Sequence, residues 1–149
     1  MFCCLCLLAA GCSADTAFIQ FAALVRADSP NDALACPAGT CTAKVDLVTE
    51  LVALTPRDLA ERVVGVLRAE PRTELVARSD DGLRFVFVQR SLLFRFPDTV
   101  NIAVLPIDGD KAGIAIYSRS NYGYGDFGVN RARVEGWLAI LGIPTRPAP

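Results

Sequence analysis

Residues 83–90 read LRFVFVQR, a run of aromatic and β-branched side chains that is typical of a β-strand. An Asp-Asp-Gly turn at residues 80–82 precedes it, and residues 74–78 form a shorter strand pattern before that turn. We also expect residues 91–96 to extend the long strand beyond a bulge, up to a break at the Pro-Asp pair of residues 97–98. The segment therefore predicts two antiparallel strands joined by a short turn.

Two further strands are expected downstream, over residues 100–107 and 113–117. They flank the sequence DGDK at residues 108–111, and this pattern predicts a β-hairpin.

Two helices bracket the strands. For the first, Thr55 suits the N-cap, Pro56 suits the first helical position, and the residue before Pro71 favours a stop. Its apolar side chains recur at spacings of three and four: Leu59, Val63, Val66 and Leu67. The second helix is expected over about residues 130–141, ending at Gly142. One face of it is apolar: Val134, Trp137, Leu138 and Leu141.

Helices that bracket hairpin-linked strands imply an α+β fold, with an antiparallel sheet of about four to five strands and two helices packed on one face. The 149 residues fit one domain, which we expect over residues 29–142. Residues 12–28 would form a tether, within an irregular stretch that reaches residue 45. Residues 143–149 would form a Pro-rich tail with no strand after the last helix. Five apolar side chains of the N-terminal arm should dock on the core: Phe18, Ile19, Phe21, Leu24 and Val25.

Composition excludes several classes of function. Fifteen Lys and Arg residues oppose sixteen Asp and Glu residues, which argues against a nucleic-acid binder because such proteins need a cationic excess. A hydrophobic content of 52% argues against a disordered chain. The chain has no histidine, so Ser-His-Asp and Cys-His catalysis and histidine-ligated zinc are excluded. We expect no metal and no cofactor.

The first eleven residues, MFCCLCLLAAG, are apolar and uncharged, and they are too few to span a bilayer. Their length is that of a signal-peptide core. Residues 8–12, LAAGC, resemble a bacterial lipobox, in which Cys12 becomes the first residue and carries lipid. A signal peptide begins with Lys or Arg, whereas the first basic residue here is Arg26, so we expect the natural start to lie upstream. The alternative is a buried apolar terminus whose cysteines act as ordinary hydrophobic residues.

Cysteine counting favours one structural disulfide. Removal of a signal peptide takes away Cys3, Cys4 and Cys6, and lipidation uses Cys12, which leaves two cysteines. The remaining Cys36 and Cys41 form an even pair in an exported chain. Zinc would be only half-ligated by two thiolates, and the spacing is wider than that of a Cys-x-x-Cys redox pair.

The sequence GYGDFG at residues 123–128 matches the dinucleotide-binding pattern G-x-G-x-x-G. That pattern needs a further strand after the helix and an acidic residue about 20 positions on. Residues 129–149 leave room only for the last helix and the tail, so we reject nucleotide binding. The glycines instead favour positive φ angles in a tight strand-to-helix connection.

The same connection holds the candidate site. Arg131 and Arg133 fall in the first turn of the expected helix, where the helix dipole disfavours cations. They could pair with Asp126, bind an anionic ligand together with neighbouring residues, or form an ion-paired corner that fixes the helix on the sheet. The candidate ligand-binding residues are Arg119, Tyr122, Tyr124, Asp126, Asn130, Arg131 and Arg133.

Three segments carry a family resemblance: SLLFRFPD at residues 91–98, IYSRS at 116–120 and DFGVNRAR at 126–133. Together with SPND at residues 29–32 and the Cys36/Cys41 pair, they resemble the bacterial domain of unknown function numbered 1499. The resemblance covers roughly residues 20 to 142. It implies a small exported or lipid-anchored envelope domain, and it implies no activity.

We therefore expect an exported lipoprotein of the bacterial cell envelope that is a non-catalytic binding or assembly module facing the periplasm. Ser13 slightly favours the outer membrane. The expected partners are the membrane, through the lipid, and an envelope protein or a small anionic ligand. The alternative is a histidine-free enzyme with Asp98 or Asp126 as acid or base and Arg119 as electrostatic stabiliser.

Overall fold

A computed structural model describes residues 16–149, which fold around one seven-stranded sheet. The strands are β1 (Asp32–Pro37), β2 (Leu47–Thr49), β3 (Thr73–Arg78), β4 (Arg84–Arg90), β5 (Pro97–Asp108), β6 (Lys111–Ser120) and β7 (Thr145–Pro147). Their order across the sheet is β3-β4-β5-β6-β1-β2-β7. In this part of the chain β1 and β2 pair in parallel, and the other five neighbouring pairs are antiparallel. The predicted signal peptide at residues 1–11 and the lipidation site at Cys12 lie outside the described residues.

The prediction of an antiparallel sheet of four to five strands is wrong, because the sheet has seven strands and is mixed. The strands it omitted are β1, β2 and β7. Strand β1 lies inside the sheet and is buried on both faces, so its sequence DALACP has no polar-apolar alternation and no β-branched residue. Strands β2 and β7 have three residues each. The expectation that no strand follows the last helix is also wrong, since β7 pairs with β2.

The two helices are α1 (Pro56–Leu67) and α2 (Val129–Ile140), and they agree with the predicted bounds to within one residue, except that α1 ends three residues before the predicted stop at Glu70. The Oγ1 atom of Thr55 accepts a hydrogen bond from the backbone N–H of Asp58 at 3.1 Å, which caps α1. Both helices belong to one core cluster on the same face of the sheet. Within it the ring of Trp137 meets that of Phe87 edge-on, with 5.9 Å between centroids.

The opposite face of the sheet carries a second, smaller core of Leu34, Cys36, Ala103, Ala115 and Tyr117. It is covered by the N-terminal arm, whose short 3-10 helix buries Phe21, and by residues 41–45. The predicted disulfide between Cys36 and Cys41 is confirmed. The docking expectation is wrong for Val25, whose side chain is 88% exposed.

The loop at residues 91–96 connects β4 to β5 instead of extending β4, so the expected strand extension is wrong. Two hydrogen bonds close this loop, from the N–H of Ser91 to the carbonyl of Phe96 at 2.9 Å and from the N–H of Phe96 to Oγ of Ser91 at 3.0 Å. Strand β5 begins at Pro97, opposite Arg90 at the end of β4. Among residues 16–149, no helix has the length and apolar character needed to cross a bilayer.

Replacing Phe87 by Ala should lower the free energy of unfolding by about 3–5 kcal/mol, because it removes a fully buried ring from the contact with Trp137. The matched control is Ile140→Ala on α2, where the side chain is half exposed and the expected change is within about 0.5 kcal/mol. Urea denaturation measures both values. Equal losses in the two variants would contradict this description of the core.

Candidate functional site

The start of α2 is organised by the carboxylate of Asp126. One of its oxygens accepts the backbone N–H of Gly128 at 2.9 Å, and the other accepts the backbone N–H of Asn130 at 2.8 Å. Gly128 is the N-cap residue and has no side chain to supply these acceptors. Asp126 therefore takes over the capping, where a negative charge is also favoured by the helix dipole.

Arg133 joins α2 to three strands. Its guanidinium is buried and donates hydrogen bonds to Asp98 on β5 at 2.6 Å, Gln89 on β4 at 2.6 Å and Ser118 on β6 at 2.8 Å. It also donates to Oδ1 of Asn130 on its own helix at 2.7 Å. This is the ion-paired corner predicted as one interpretation, with Asp98 as the partner of Arg133.

Asn130 extends the same network toward β1. Its side chain is fully buried and donates to the carbonyl of Asn31 at 2.8 Å and to Oγ of Ser120 at 2.9 Å, while Ser118 donates to its Oδ1 at 2.6 Å. In the described part of the chain, no buried side-chain nitrogen or oxygen lacks a hydrogen-bond partner. Asn130 and Arg133 are thus used for packing α2 against the sheet.

The other candidates lie elsewhere. Arg131 is on the exposed side of α2, where it pairs with Glu135 at 2.9 Å. Tyr122 lies against Phe96, with 5.8 Å between ring centroids. Tyr124 is well exposed, and Arg119 lies on β6 in register with Asp32 of β1. The structure therefore divides the predicted site between a buried network, an aromatic cluster and the rim of a groove.

The groove has a volume of about 1040 Å³ and lies beside the start of α2. Its walls come from residues 24–32, residues 42–46 and the connection that contains Tyr124, Asp126 and Arg131. The charged side chains that line it are Arg26, Lys44 and Arg131 against Asp28, Asp32, Asp46 and Asp126.

A second polar network, absent from the sequence-based prediction, forms part of this groove. Arg26 contacts Asp32 at 2.5 Å and Asp46 at 3.0 Å, and the hydroxyl of Tyr117 donates to Asp32 at 2.7 Å. Burial lowers the pKa of Arg26, but hydrogen bonds and charge from the two carboxylates outweigh it and raise that pKa. The sequence signal that pointed here was SPND at residues 29–32, which ends on Asp32.

Tyr117 belongs to the second core, and this affects its ionisation. Burial is the largest cause that raises the pKa of Tyr117, and its hydrogen bond to the Asp32 carboxylate raises it further. The hydroxyl therefore stays protonated and keeps its hydrogen bond well into the alkaline range.

The residues of the alternative, histidine-free enzyme do not meet in one cleft. Asp98 is paired with Arg133 on the helical face of the sheet. Arg119 is in register with Asp32. It lies two positions after Tyr117 on β6 and therefore on the same face of the sheet as Tyr117. Asp126 caps α2. Within residues 16–149, no group of three or more Cys, Asp or Glu side chains is placed to hold a metal ion.

The glycine-rich connection does not form a dinucleotide site. Gly123 and Gly128 adopt φ angles of 87° and 80°, which confirms the predicted use of glycine in a tight connection. Strand β7, which follows α2, is separated from β6 by β1 and β2.

The comparisons with known proteins identify a family. The family described as "Protein of unknown function (DUF1499)" matches residues 27–141, which include both helices and the loop at residues 91–96. No curated protein matches the chain. A solved structure described as a START superfamily protein from Mycobacterium smegmatis is similar over 64% of this chain and 93% of that chain, with 12% identity and a TM-score of 0.34.

Replacing Arg133 by Ala should lower the free energy of unfolding by about 3–5 kcal/mol, because it leaves the buried Asp98 carboxylate without its cation. The matched control is Arg131→Ala on the same helix, which breaks an exposed pair worth about 0–1 kcal/mol. Chemical denaturation compares the two variants. A loss in Arg133→Ala as small as that in the control would contradict the assignment of Arg133 to a buried clamp.

The raised pKa of Tyr117 predicts a loss of stability at high pH. Its stabilising contribution is fully present below the unfolded value of about 10, and it is lost as pH rises toward the folded pKa, because the unfolded chain ionises first. Tyrosinate absorbance should show one late step that disappears in Tyr117→Phe. The same late step in Tyr117→Phe would contradict the proposed environment of this hydroxyl.

Proposed function

The chain belongs to the family described as protein of unknown function DUF1499, and from this premise we propose that it is a lipid-anchored binding module of the bacterial cell envelope, without catalytic turnover. The proposal has three parts: export with lipidation at Cys12, an oxidising compartment, and a groove that takes a small polar ligand.

The disulfide supports the oxidising compartment. Cys36 is fully buried on β1, and its bond to Cys41 holds residues 41–45 over the second core and along the groove wall. Disulfides persist in exported proteins and are rare in the reducing cytosol. A stable structural bond at this place therefore favours export.

The position of Cys12 supports the anchor. The described chain first packs on the second core at Ile19, seven residues after Cys12. Seven residues span at most about 25 Å when fully extended. A lipid on Cys12 would hold the folded domain close to the bilayer surface.

The binding role is supported by two neighbouring features: a network whose polar groups are all engaged, and a groove that is open. The carboxylates of Asp98 and Asp126 and the guanidinium of Arg133 are fully used in fixing α2. The groove lies next to them, and its volume is slightly above the range of about 300–1,000 Å³ that is usual for ligand sites. The groove therefore has space for a ligand. The acidic and basic side chains of the α2 network are engaged in hydrogen bonds and are not free to act on that ligand.

Three cations and four carboxylates line the groove, and the feature that favours an anionic group on a ligand is one exposed cation, Lys44. Asp32 and Asp46 share the single positive charge of Arg26, and Asp126 is bound by N–H groups of α2. Lys44 is exposed at the groove, and within the described residues it has no ion pair. We assign Lys44 as the cation that would meet the anionic group, with Arg131, which pairs with Glu135, also on the groove wall.

The anchor is tested by metabolic labelling with a fatty-acid probe in a bacterial host. We expect Cys12→Ala to lose the label, because the acceptor thiol is gone. Cys6→Ala is the matched control from the same apolar run, and it should keep the label, because that cysteine leaves with the signal peptide. Undiminished labelling of Cys12→Ala would rule out the anchor.

The groove is tested by native mass spectrometry of protein purified from envelope extracts. We expect a bound small molecule that is lost in Lys44→Glu, because the substitution reverses the charge that holds its anionic group. Lys111→Glu, in the hairpin between β5 and β6, is the matched control and should keep the bound mass. Identical spectra for all three proteins would argue against a ligand in the groove.

A further inference from the structure

One end of the sheet exposes an unusual cluster of apolar side chains, which we call the end patch: Leu92, Leu93, Phe94, Phe96 and Tyr122. The exposed fractions of the first three are 73%, 82% and 74%. Phe94 stacks on Phe96 with 5.6 Å between ring centroids, and Phe96 lies 5.8 Å from Tyr122. A contiguous apolar surface of this kind marks a site of interaction.

Sheet pairing places the two parts of the end patch side by side. The loop at residues 91–96 joins the end of β4 to the start of β5, and that start pairs with the end of β6 through Asp98 and Ser120. Tyr122 lies two residues after the end of β6. The patch is therefore built from two loops at the same end of three adjacent strands.

The loop holds its apolar side chains away from the core. Its ends are closed by the two hydrogen bonds between Ser91 and Phe96, and Arg90 donates to the carbonyl of Arg95 at 3.4 Å. The three residues at its tip, Leu92 to Phe94, have no core cluster beneath them. A constrained loop with an apolar tip exposes these side chains for contact with another surface.

Three arginines lie around the tip. Arg90 and Arg95 flank it, and Arg72 lies beside them because its Nε donates to the carbonyl of Arg90 at 3.0 Å. The nearest carboxylate along the chain, Asp98, is buried and neutralised by Arg133. The whole chain has a net charge of -1, so this cationic rim is a local feature.

We propose that the end patch docks the protein on an anionic phospholipid surface. Leu92, Leu93 and Phe94 enter the boundary between headgroups and acyl chains, and Arg90 and Arg95 meet the lipid phosphates. Phe96 and Tyr122 lie at the level of the headgroups, where aromatic side chains are enriched. The proposal needs neither the lipid on Cys12 nor a ligand in the groove.

The test uses the fluorescence of an introduced tryptophan in the full chain carrying Cys12→Ala, so that lipidation of that residue contributes nothing. The natural Trp137 is buried and supplies the same background in every variant. We place a reporter in the tip with Leu93→Trp and a matched control with Ile107→Trp, at the far end of β5 and also partly exposed. The probe is a vesicle of phosphatidylglycerol and phosphatidylcholine with brominated acyl chains, which quench only an indole that enters the bilayer.

We expect at least a twofold quenching of the Leu93→Trp emission on these vesicles, little change for Ile107→Trp, and loss of the quenching on pure phosphatidylcholine or when Arg90→Glu and Arg95→Glu are added. An unquenched Leu93→Trp indole, or equal quenching of both reporters, overturns the proposal. Equal quenching on neutral vesicles overturns the assignment to anionic lipid. A blue shift of the Leu93→Trp emission that depends on protein concentration without vesicles, together with a dimer in sedimentation, assigns the patch to a second copy of the chain instead.

Discussion

The buried ion pair between Arg133 and Asp98 is the constraint on which the functional end of the molecule depends. Burying two charges costs several kcal/mol of desolvation, so the pair is tolerable only where every donor and acceptor is satisfied. Here the guanidinium also reaches Gln89, Ser118 and Asn130. The result is one helix fixed to three strands by a single side chain. Because this helix is fixed, the connection that precedes it is also held in a defined position.

On the other face of the sheet, the elements around the second core are fixed by a disulfide and by polar contacts. Strand β1 has small or apolar side chains on both faces, and the disulfide from Cys36 attaches residues 41–45 to it. The network of Arg26, Asp32 and Asp46 then ties the N-terminal arm to those residues. The groove lies where the arm, the disulfide-bound segment and the connection before α2 meet. Its walls are loops, yet each is tied to the sheet by a covalent bond or by polar contacts.

Only part of the candidate site could be predicted from the sequence. The helix dipole disfavours cations in the first turn of a helix, and the two arginines near the start of α2, Arg131 and Arg133, were predicted as site residues for that reason. It could not tell which of the two is buried, because the partner of Arg133 lies 35 residues away in the chain. Only SPND at residues 29–32 pointed to the network around Arg26, because Asp46 and Tyr117 are more distant in the chain and meet Arg26 and Asp32 only in the folded structure. The exposed tip of the loop at residues 91–96 was taken for strand because Leu and Phe satisfy strand composition whether they are buried or not.

Local chemistry in the sequence was enough to determine both helices, the hairpin between β5 and β6 and the disulfide between Cys36 and Cys41. Each of these depends on neighbours in the chain: a cap, a turn, a spacing of three and four, or an even count of cysteines. Only the tertiary structure decided that β1, β2 and β7 complete a mixed sheet, that Arg133 is buried while Arg131 is exposed, and that apolar side chains collect at one end. Strand β1 has no β-branched residue, and β2 and β7 have only three residues each, so their stability comes from pairing with strands that are distant in sequence.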